Sequence, residues 1–132
     1  ATKSAASPQL GWDFRLKKVN SSYYITFSAS LDGKTTKEVR SSSIVLDTSN
    51  IHHVALTWNK GAVKFFYDGM QKGTATIGTS GSSIIFDSTA PLYIGRDQTS
   101  SYFSGTIDEL RISQVLRWTA TFTPPSSAYT AD

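Results

Sequence analysis

Cysteine is absent from the 132-residue sequence, which excludes a disulfide framework, a thiolate metal site and a thiol nucleophile. Glutamate is scarce, since only Glu38 and Glu109 occur, so long surface helices are not expected. No run of about eighteen apolar residues is present, and we expect no membrane insertion. The 13 basic and 10 acidic residues are scattered, which is typical of a solvated surface and not of a nucleic-acid-binding stripe.

The length fits one domain with a single core. The sequence opens at Ala1 without a methionine or an apolar signal region, so we expect a processed or excised part of a longer protein. Its composition divides it into a lead-in at residues 1–9, a β-sandwich at residues 10–125 and a C-terminal tail at residues 126–132.

Residues 51–73, IHHVALTWNKGAVKFFYDGMQKG, alternate in the way that is typical of two strands joined by a turn. The positions that share a face are Val54, Leu56 and Trp58 in the first strand and Val63, Phe65 and Tyr67 in the second. The link Asn59-Lys60-Gly61 supplies the glycine that a short hairpin needs. The opposite face includes Ala55 and Phe66, so it is expected either to be covered within the domain or to receive a ligand.

Similar alternation recurs along the rest of the chain. The further predicted strands are residues 10–17, 23–30, 39–46, 74–77, 84–86, 92–94 and 103–113. About nine short strands with turns every 8 to 12 residues predict an all-β, two-sheet antiparallel sandwich.

Three blocks together resemble the laminin-G-like branch of the concanavalin A-like lectin/glucanase superfamily. They are HHVALTWNKGAVKFFYDGMQKG at 52–73, PLYIGRD at 91–97 and FSGTIDELRISQVLRWTATFTPP at 103–125. The resemblance implies a jelly-roll sandwich. The closing RWTATFTPP is similar to modules of phage virion and bacterial surface proteins, which implies an extracellular, cell-surface or virion location.

The resemblance also implies strands before those found here, because domains of this kind usually begin with an aromatic-rich strand. Residues 1–9 supply no such pattern. A neighbouring chain, an upstream segment or a second copy is therefore expected to cover the exposed face of the sandwich, since each large apolar side chain left in water costs about 1.5–3 kcal/mol.

Catalysis is not expected from the arrangement of the acidic residues. Glycosidases need two carboxyl groups within about 5 to 9.5 Å of each other, and no acidic pair lies at positions i and i+2 of a predicted strand. Asp108 and Glu109 are neighbours, so in a strand they face opposite sides. The adjacent His52 and His53 diverge for the same reason, and we expect one packed and one solvated ring.

Asp108 shares its parity with Leu110 and Ile112, so the sequence predicts that its carboxylate points towards the core, where it needs partners. The favoured interpretation is a structural carboxylate that accepts backbone N–H groups. The resemblance implies the alternative, a structural calcium ion held between this strand and an N-terminal loop. Calcium would need several more oxygen ligands than one carboxylate provides.

A glycan-binding site would place aromatic rings against the C–H patches of a sugar and polar groups against its hydroxyls. The aromatic candidates are Tyr24, Trp58, Phe66 and Tyr102, and their polar neighbours are Asn59, Asp68, Arg96, Asp97 and Gln98. Ordinary packing is the alternative for each of them.

The predicted function is a non-catalytic glycan-binding or adhesion module displayed on a virion or bacterial surface or attached to a secreted protein. Two alternatives stay open. One is a structural virion or filament subunit that self-assembles through open sheet edges, and the other is a carbohydrate-binding module of a polysaccharide-degrading enzyme. The expected partners are a glycan or cell-surface polysaccharide and other chains of the same assembly, but not nucleic acid.

Overall fold

The computed structural model describes residues 1–3 and 10–130. Within them, eight strands form two antiparallel sheets. The strands are β1 (Thr2–Lys3), β2 (Trp12–Val19), β3 (Ser22–Ala29), β4 (Lys37–Arg40), β5 (Val54–Asn59), β6 (Ala62–Tyr67), β7 (Met70–Thr76) and β8 (Leu92–Tyr93). Sheet A has the order β4-β3-β2-β1-β8, and sheet B has the order β5-β6-β7. The predicted two-sheet, all-β sandwich is confirmed.

The core lies between the two sheets and is built from the alternating apolar positions. Its buried members are Ile25, Phe27 and Ala29 of β3, Val63, Phe65 and Tyr67 of β6, and Ile44 and Ile77 beside them. Phe65 and Ile25 are fully buried. Trp58 packs against this cluster with its ring centroid 6.0 Å from that of Phe27. The predicted inward face of the central hairpin is therefore confirmed.

Sheet B is a meander with two tight turns. Lys60 and Gly61 join β5 to β6 and have φ values of 46° and 101°, which matches the left-handed backbone of the preferred two-residue hairpin turn. A Cβ at Gly61 would lie 2.7 Å from the carbonyl oxygen of Thr79, so a larger residue does not fit there. Asp68 and Gly69 form the second turn, with φ values of 50° and 75°.

A bulge in β7 connects the two sheets. Phe65 pairs with Gly73 and Phe66 pairs with Gln71, so Lys72 has no partner in β6. The carbonyl oxygen of Lys72 instead accepts a hydrogen bond from the Ser42 amide at 2.6 Å. The bulge thus directs a backbone acceptor towards the chain that follows β4.

Several of the predicted strands are shorter than expected or absent. The predicted strand at 39–46 is reduced to β4 and an isolated bridge between Ile44 and Tyr23, and residues 84–86 and 103–113 form no strand. Alternation gives a segment the propensity for a strand, but a strand also needs a hydrogen-bonded neighbour, which local sequence does not reveal.

The lead-in prediction is wrong at Thr2–Lys3. These two residues form β1, which lies between β2 and β8 in sheet A. The Ala1 carbonyl accepts a hydrogen bond from the Phe14 amide at 2.6 Å, which extends this pairing. Residues 4–9 of the predicted lead-in lie outside the described residues.

The outer face of sheet B is covered by the end of the chain. The Phe122 amide donates a hydrogen bond to the Gly69 carbonyl at 3.0 Å. The Phe122 ring lies 5.4 Å from that of Phe66 and is stacked on Trp118 at 4.1 Å. Tyr129 reaches the same face through a 2.8 Å contact with His53. We call Trp118, Phe122 and Tyr129 the C-terminal clasp, and beneath it Phe66 is fully buried.

Replacing Gly69 by alanine is expected to destabilise the domain by more than the about 1–2 kcal/mol that a left-handed backbone alone costs. The additional cost arises because the new Cβ would overlap the carbonyl oxygen of Phe122. Gly81→Ala is the matched control, since Gly81 also has a positive φ, of 88°, but no atom lies within 4 Å of a Cβ there. Urea denaturation measures both losses, and equal values would show that the clasp does not contact this turn.

Candidate functional site

The outer face of sheet A is polar because β2 and β3 alternate apolar and polar side chains. Strand register brings the polar positions of five strands together, on the side of the sheet opposite the core. We call this surface the polar face. It consists of Thr2, Asp13, Arg15, Lys17, Tyr24, Thr26, Ser28, Glu38, Arg40 and Tyr93.

Ion pairs neutralise the carboxylates of the polar face. Asp13 is 8 % exposed, accepts a hydrogen bond from the Thr2 hydroxyl at 2.7 Å and pairs directly with the Arg15 guanidinium. The hydrogen bond from Arg15 to Asp13 raises the pKa of Arg15, and Asp97, 3.9 Å away, acts in the same direction. Because both partners are held by several contacts, these groups are already oriented before any ligand arrives.

Two arginines, one on the polar face and one beside it, lie over tyrosine rings. Arg40 Cζ lies 4.6 Å from the ring centroid of Tyr24, and Arg96 Cζ lies 4.3 Å from that of Tyr93. These distances are in the range of cation–π contacts, which hold a ring in one orientation. Tyr24 is on β3 and Tyr93 on β8, three strand spacings apart, and the register offsets them by four residues along the strands, so they lie about 20 Å apart. The polar face therefore carries two fixed aromatic groups with the Asp13–Arg15 pair between them.

A cavity of about 180 Å³ opens beside this pair and is lined in part by Thr2, Arg15 and Gln98. The loop that supplies Gln98 is held by Asp97, whose carboxylate accepts hydrogen bonds from the amides of Thr99 and Ser101 at 2.8 and 3.0 Å. These bonds, that of Ser101 foremost, keep the pKa of Asp97 below its ordinary value. The loop is thus a fixed rim and not a loose connection.

A family model described as the concanavalin A-like lectin/glucanases superfamily, in its laminin G form, matches residues 2–120. The chain belongs to the laminin-G-like family. Comparison with curated proteins and with solved structures found no match. Laminin-G-like domains are carbohydrate-binding or adhesion-type modules that are generally non-catalytic and often extracellular. The described residues of this laminin-G-like domain include no helix long and apolar enough to cross a membrane.

Five of the predicted site residues lie on or beside the polar face of the laminin-G-like domain. Tyr24 is part of the face itself, and the other four belong to the chain that follows β8: Arg96, Asp97, Gln98 and Tyr102. A bridge pairs Arg96 with Tyr102, whose side chain is 71 % exposed. The structure therefore brings together residues that are far apart in the sequence.

The other four candidates lie on sheet B, away from this surface. Asn59 is exposed at the end of β5, but Trp58 is packed against the core and Phe66 is fully buried under the clasp. Asp68 is occupied structurally, since its two oxygens lie 2.8 Å from the His53 amide and from His52 Nδ1. The expectation that Phe66 faces a ligand is wrong because the chain's own C-terminal residues fill that space.

Asp108 does not point into the core as predicted, because residues 103–113 form no strand that would direct it there. Its carboxylate is exposed and accepts a hydrogen bond from the Glu109 amide at 2.9 Å. Among residues 1–3 and 10–130, no three His, Cys, Asp or Glu side chains group closely enough to hold a metal. A calcium centre needs about six to eight oxygen ligands, and part of the N-terminal loop that would share them lies outside the described residues, so the calcium ion stays a prediction.

The adjacent histidines diverge as predicted, and both rings are packed against aromatic neighbours and partly exposed. His52 stacks on Tyr67 with 4.9 Å between ring centroids. His53 packs edge-on against Trp118 and Phe122, with both centroids 5.5 Å away. Its Nδ1 is buried and has no hydrogen-bond partner among the described residues.

Sequence reasoning missed Asp13, Arg15, Arg40 and Tyr93 as members of the surface. Asp13 and Arg15 are the polar positions that alternate with the apolar ones of β2. The search for sugar contacts started from aromatic residues and their near neighbours, and so it does not reach them. Arg40 and Tyr93 join the face through the pairing of β4 and β8, and no local pattern predicts that pairing.

Proposed function

We propose that this domain is a non-catalytic glycan-binding module whose polar face binds an extended, uncharged saccharide chain. The observation that supports this most strongly is the pair of arginine-tyrosine contacts on either side of the Asp13–Arg15 pair and its cavity. Fixed aromatic groups suit the C–H patches of sugar rings, and a spacing of about 20 Å suits several linked rings better than a single sugar.

The hydrogen-bonding groups suit sugar hydroxyls, which both donate and accept. The surface offers carboxylates and hydroxyls as acceptors and guanidinium, ammonium and amide groups as donors. Its acidic groups pair with basic ones, as Glu38 does with Lys17 at 2.9 Å. A polyanion such as nucleic acid needs a row of uncompensated cations, so this balance favours an uncharged ligand.

The biological setting we propose is display on a virion or bacterial surface, or attachment to a secreted protein. The likeness of RWTATFTPP, residues 117–125, to phage and bacterial surface modules supports this setting. A carbohydrate-binding module of a polysaccharide-degrading enzyme would use the same surface in the same way. If the protein were instead a structural subunit, the polar face would not bind a glycan.

Tyr24→Ala is expected to weaken glycan binding about threefold to tenfold, because an aromatic contact contributes about 0.5–1.5 kcal/mol. A glycan array or polysaccharide pull-down identifies the ligand, and calorimetry with that ligand measures the loss. Asn59→Ala is the control, since Asn59 is exposed on sheet B, and its binding should equal that of the parent. Retention of no glycan, or equal binding by the Tyr24 variant and the parent, would contradict the proposal.

A further inference from the structure

Residues 103–116 present a group of exposed apolar side chains. Their exposed fractions lie between 43 % and 59 %, and the group consists of Phe103, Ile107, Leu110, Ile112, Val115 and Leu116. Scattered apolar residues are ordinary on a protein surface, but six within fourteen positions of one segment are not, and such patches mark interaction sites.

The backbone of this segment is not in the conformation that its sequence favours. Residues 109–112 alternate polar and apolar like a strand, but no described strand pairs with them. Glu109 has a φ of 50°, a left-handed value that non-glycine residues seldom adopt. Pairing with another strand would return Glu109 to the extended region and would satisfy the row of backbone groups that an unpaired segment exposes.

The charges of the segment indicate what that other strand is. In an antiparallel pair centred on Leu110, residue 109 of each copy lies opposite residue 111 of the other, and Leu110 lies opposite itself. Glu109 thus meets Arg111 twice, and opposite charges at paired positions stabilise a sheet. Parallel pairing in register would instead place like charges side by side. The same register places Asp108 opposite Ile112, so the complementarity to an antiparallel copy comes from the Glu109–Arg111 pairs and from Leu110.

We propose that a second copy of this chain docks on residues 106–112, with the two segments paired as antiparallel strands about a two-fold axis at Leu110. Each copy then contributes the same surface, as in an isologous dimer. The apolar side chains of 103–116 in the two copies are thereby brought together at the interface.

Exchanging the charges of residues 109 and 111 tests this pairing directly. The parent protein should show a mass that rises with concentration to twice that of one chain in light scattering. Glu109→Arg and Arg111→Glu should each weaken dimerisation at least tenfold, because each places like charges opposite one another. The double variant E109R/R111E should restore the dimer, since the pairs are then reversed but again complementary. Val45→Arg is the control, because Val45 is exposed and apolar but lies outside the segment.

Glu109 also accepts a hydrogen bond from the Tyr129 amide at 2.7 Å, and Arg111 Cζ lies 5.2 Å from the ring centroid of Tyr129, so replacing either residue affects contacts within the chain. Leu110→Arg provides a second test, since it places two like charges at the axis and should give a folded monomer by circular dichroism. The proposal is overturned if the parent protein is a monomer at all concentrations. It is also overturned if the single variants dimerise as tightly as the parent, or if the double variant dimerises as weakly as the single variants.

Discussion

Replacing Phe66 by alanine is expected to lower the free energy of unfolding by about 3–5 kcal/mol, the usual cost of removing a buried phenylalanine. Phe66 lies on the outer face of sheet B, where the alternation of β6 alone would leave it open to solvent. It is nevertheless fully buried, because Phe122 of the clasp packs 5.4 Å from its ring. Equilibrium urea denaturation measures the loss.

Tyr102→Ala is the matched control, since the Tyr102 ring is 71 % exposed and its removal should change stability by less than about 0.5 kcal/mol. The Phe66 variant should also retain the glycan affinity of the parent once the folded fraction is taken into account. A small loss of stability together with a large loss of glycan affinity would show that Phe66 is an exposed sugar contact, contrary to the structure.

Acidification below about pH 6.5 is expected to destabilise the domain through His53. Burial by the clasp lowers the pKa of His53 from its ordinary value of 6.5, and the neighbouring Asp68 only partly opposes this shift. Protonation would also place a charged N–H at the buried Nδ1, which has no partner among the described residues. Denaturation midpoints measured between about pH 5 and 7 report the effect.

The direction of this pH effect follows from the difference between the pKa of His53 in the folded state and its ordinary value in the unfolded chain. Above 6.5 the histidine is neutral in both states and its own contribution to stability is at its full value. Between 6.5 and the lower pKa of the folded state, only the unfolded chain takes up the proton, so stability falls as the pH falls. The carboxylates of Asp47 and Asp97 have lowered pKa values as well, but their ordinary value is 3.8, so their contribution is lost only in stronger acid.

His53→Phe should remove the loss of stability that protonation of His53 causes on acidification, because the replacement ring fills the same space without a titratable group. Trp118→Ala should reduce it, since water then reaches the histidine. Tyr129→Phe is the control, for it removes one hydrogen bond, about 1 kcal/mol, but leaves the burying rings in place. An unchanged slope in the His53→Phe variant would show that another group causes the acid sensitivity.

The fold class could be predicted because its determinants are local. The alternation of Val63, Phe65 and Tyr67 defines the buried face of β6, and the glycine of the Lys60-Gly61 turn meets a requirement for a positive φ that is readable from the sequence. Family resemblance gave the same architecture from three separate blocks.

The parts that could not be predicted depend on contacts between distant segments. Nothing around Phe66 indicates that residues 118–129 return to cover it, and nothing around Thr2 indicates that it pairs with Tyr93 ninety-one positions later. The same limit explains Asp108, whose predicted orientation required a neighbouring strand that the described residues do not supply. Alternation predicts which side chains share a face, but not what lies against that face.

The candidate site was predicted in part for the same reason. Parity places Tyr24 on the outer face of sheet A, and Arg96 and Asp97 lie together because they are adjacent in the sequence, while their role in binding stays a prediction. Their proximity to Arg15 required the pairing of β1 with both β2 and β8, which joins the two ends of the polar face.

An amide-resolved NMR titration of the domain with the oligosaccharide selected on the array would test most directly whether the polar face is the binding surface. The largest shifts should fall on Arg15, Tyr24, Arg40 and the loop at Gln98, while the clasp residues Trp118 and Phe122 should not move. Shifts confined to sheet B or to the clasp, or no shift at saturating ligand, would contradict the proposed function.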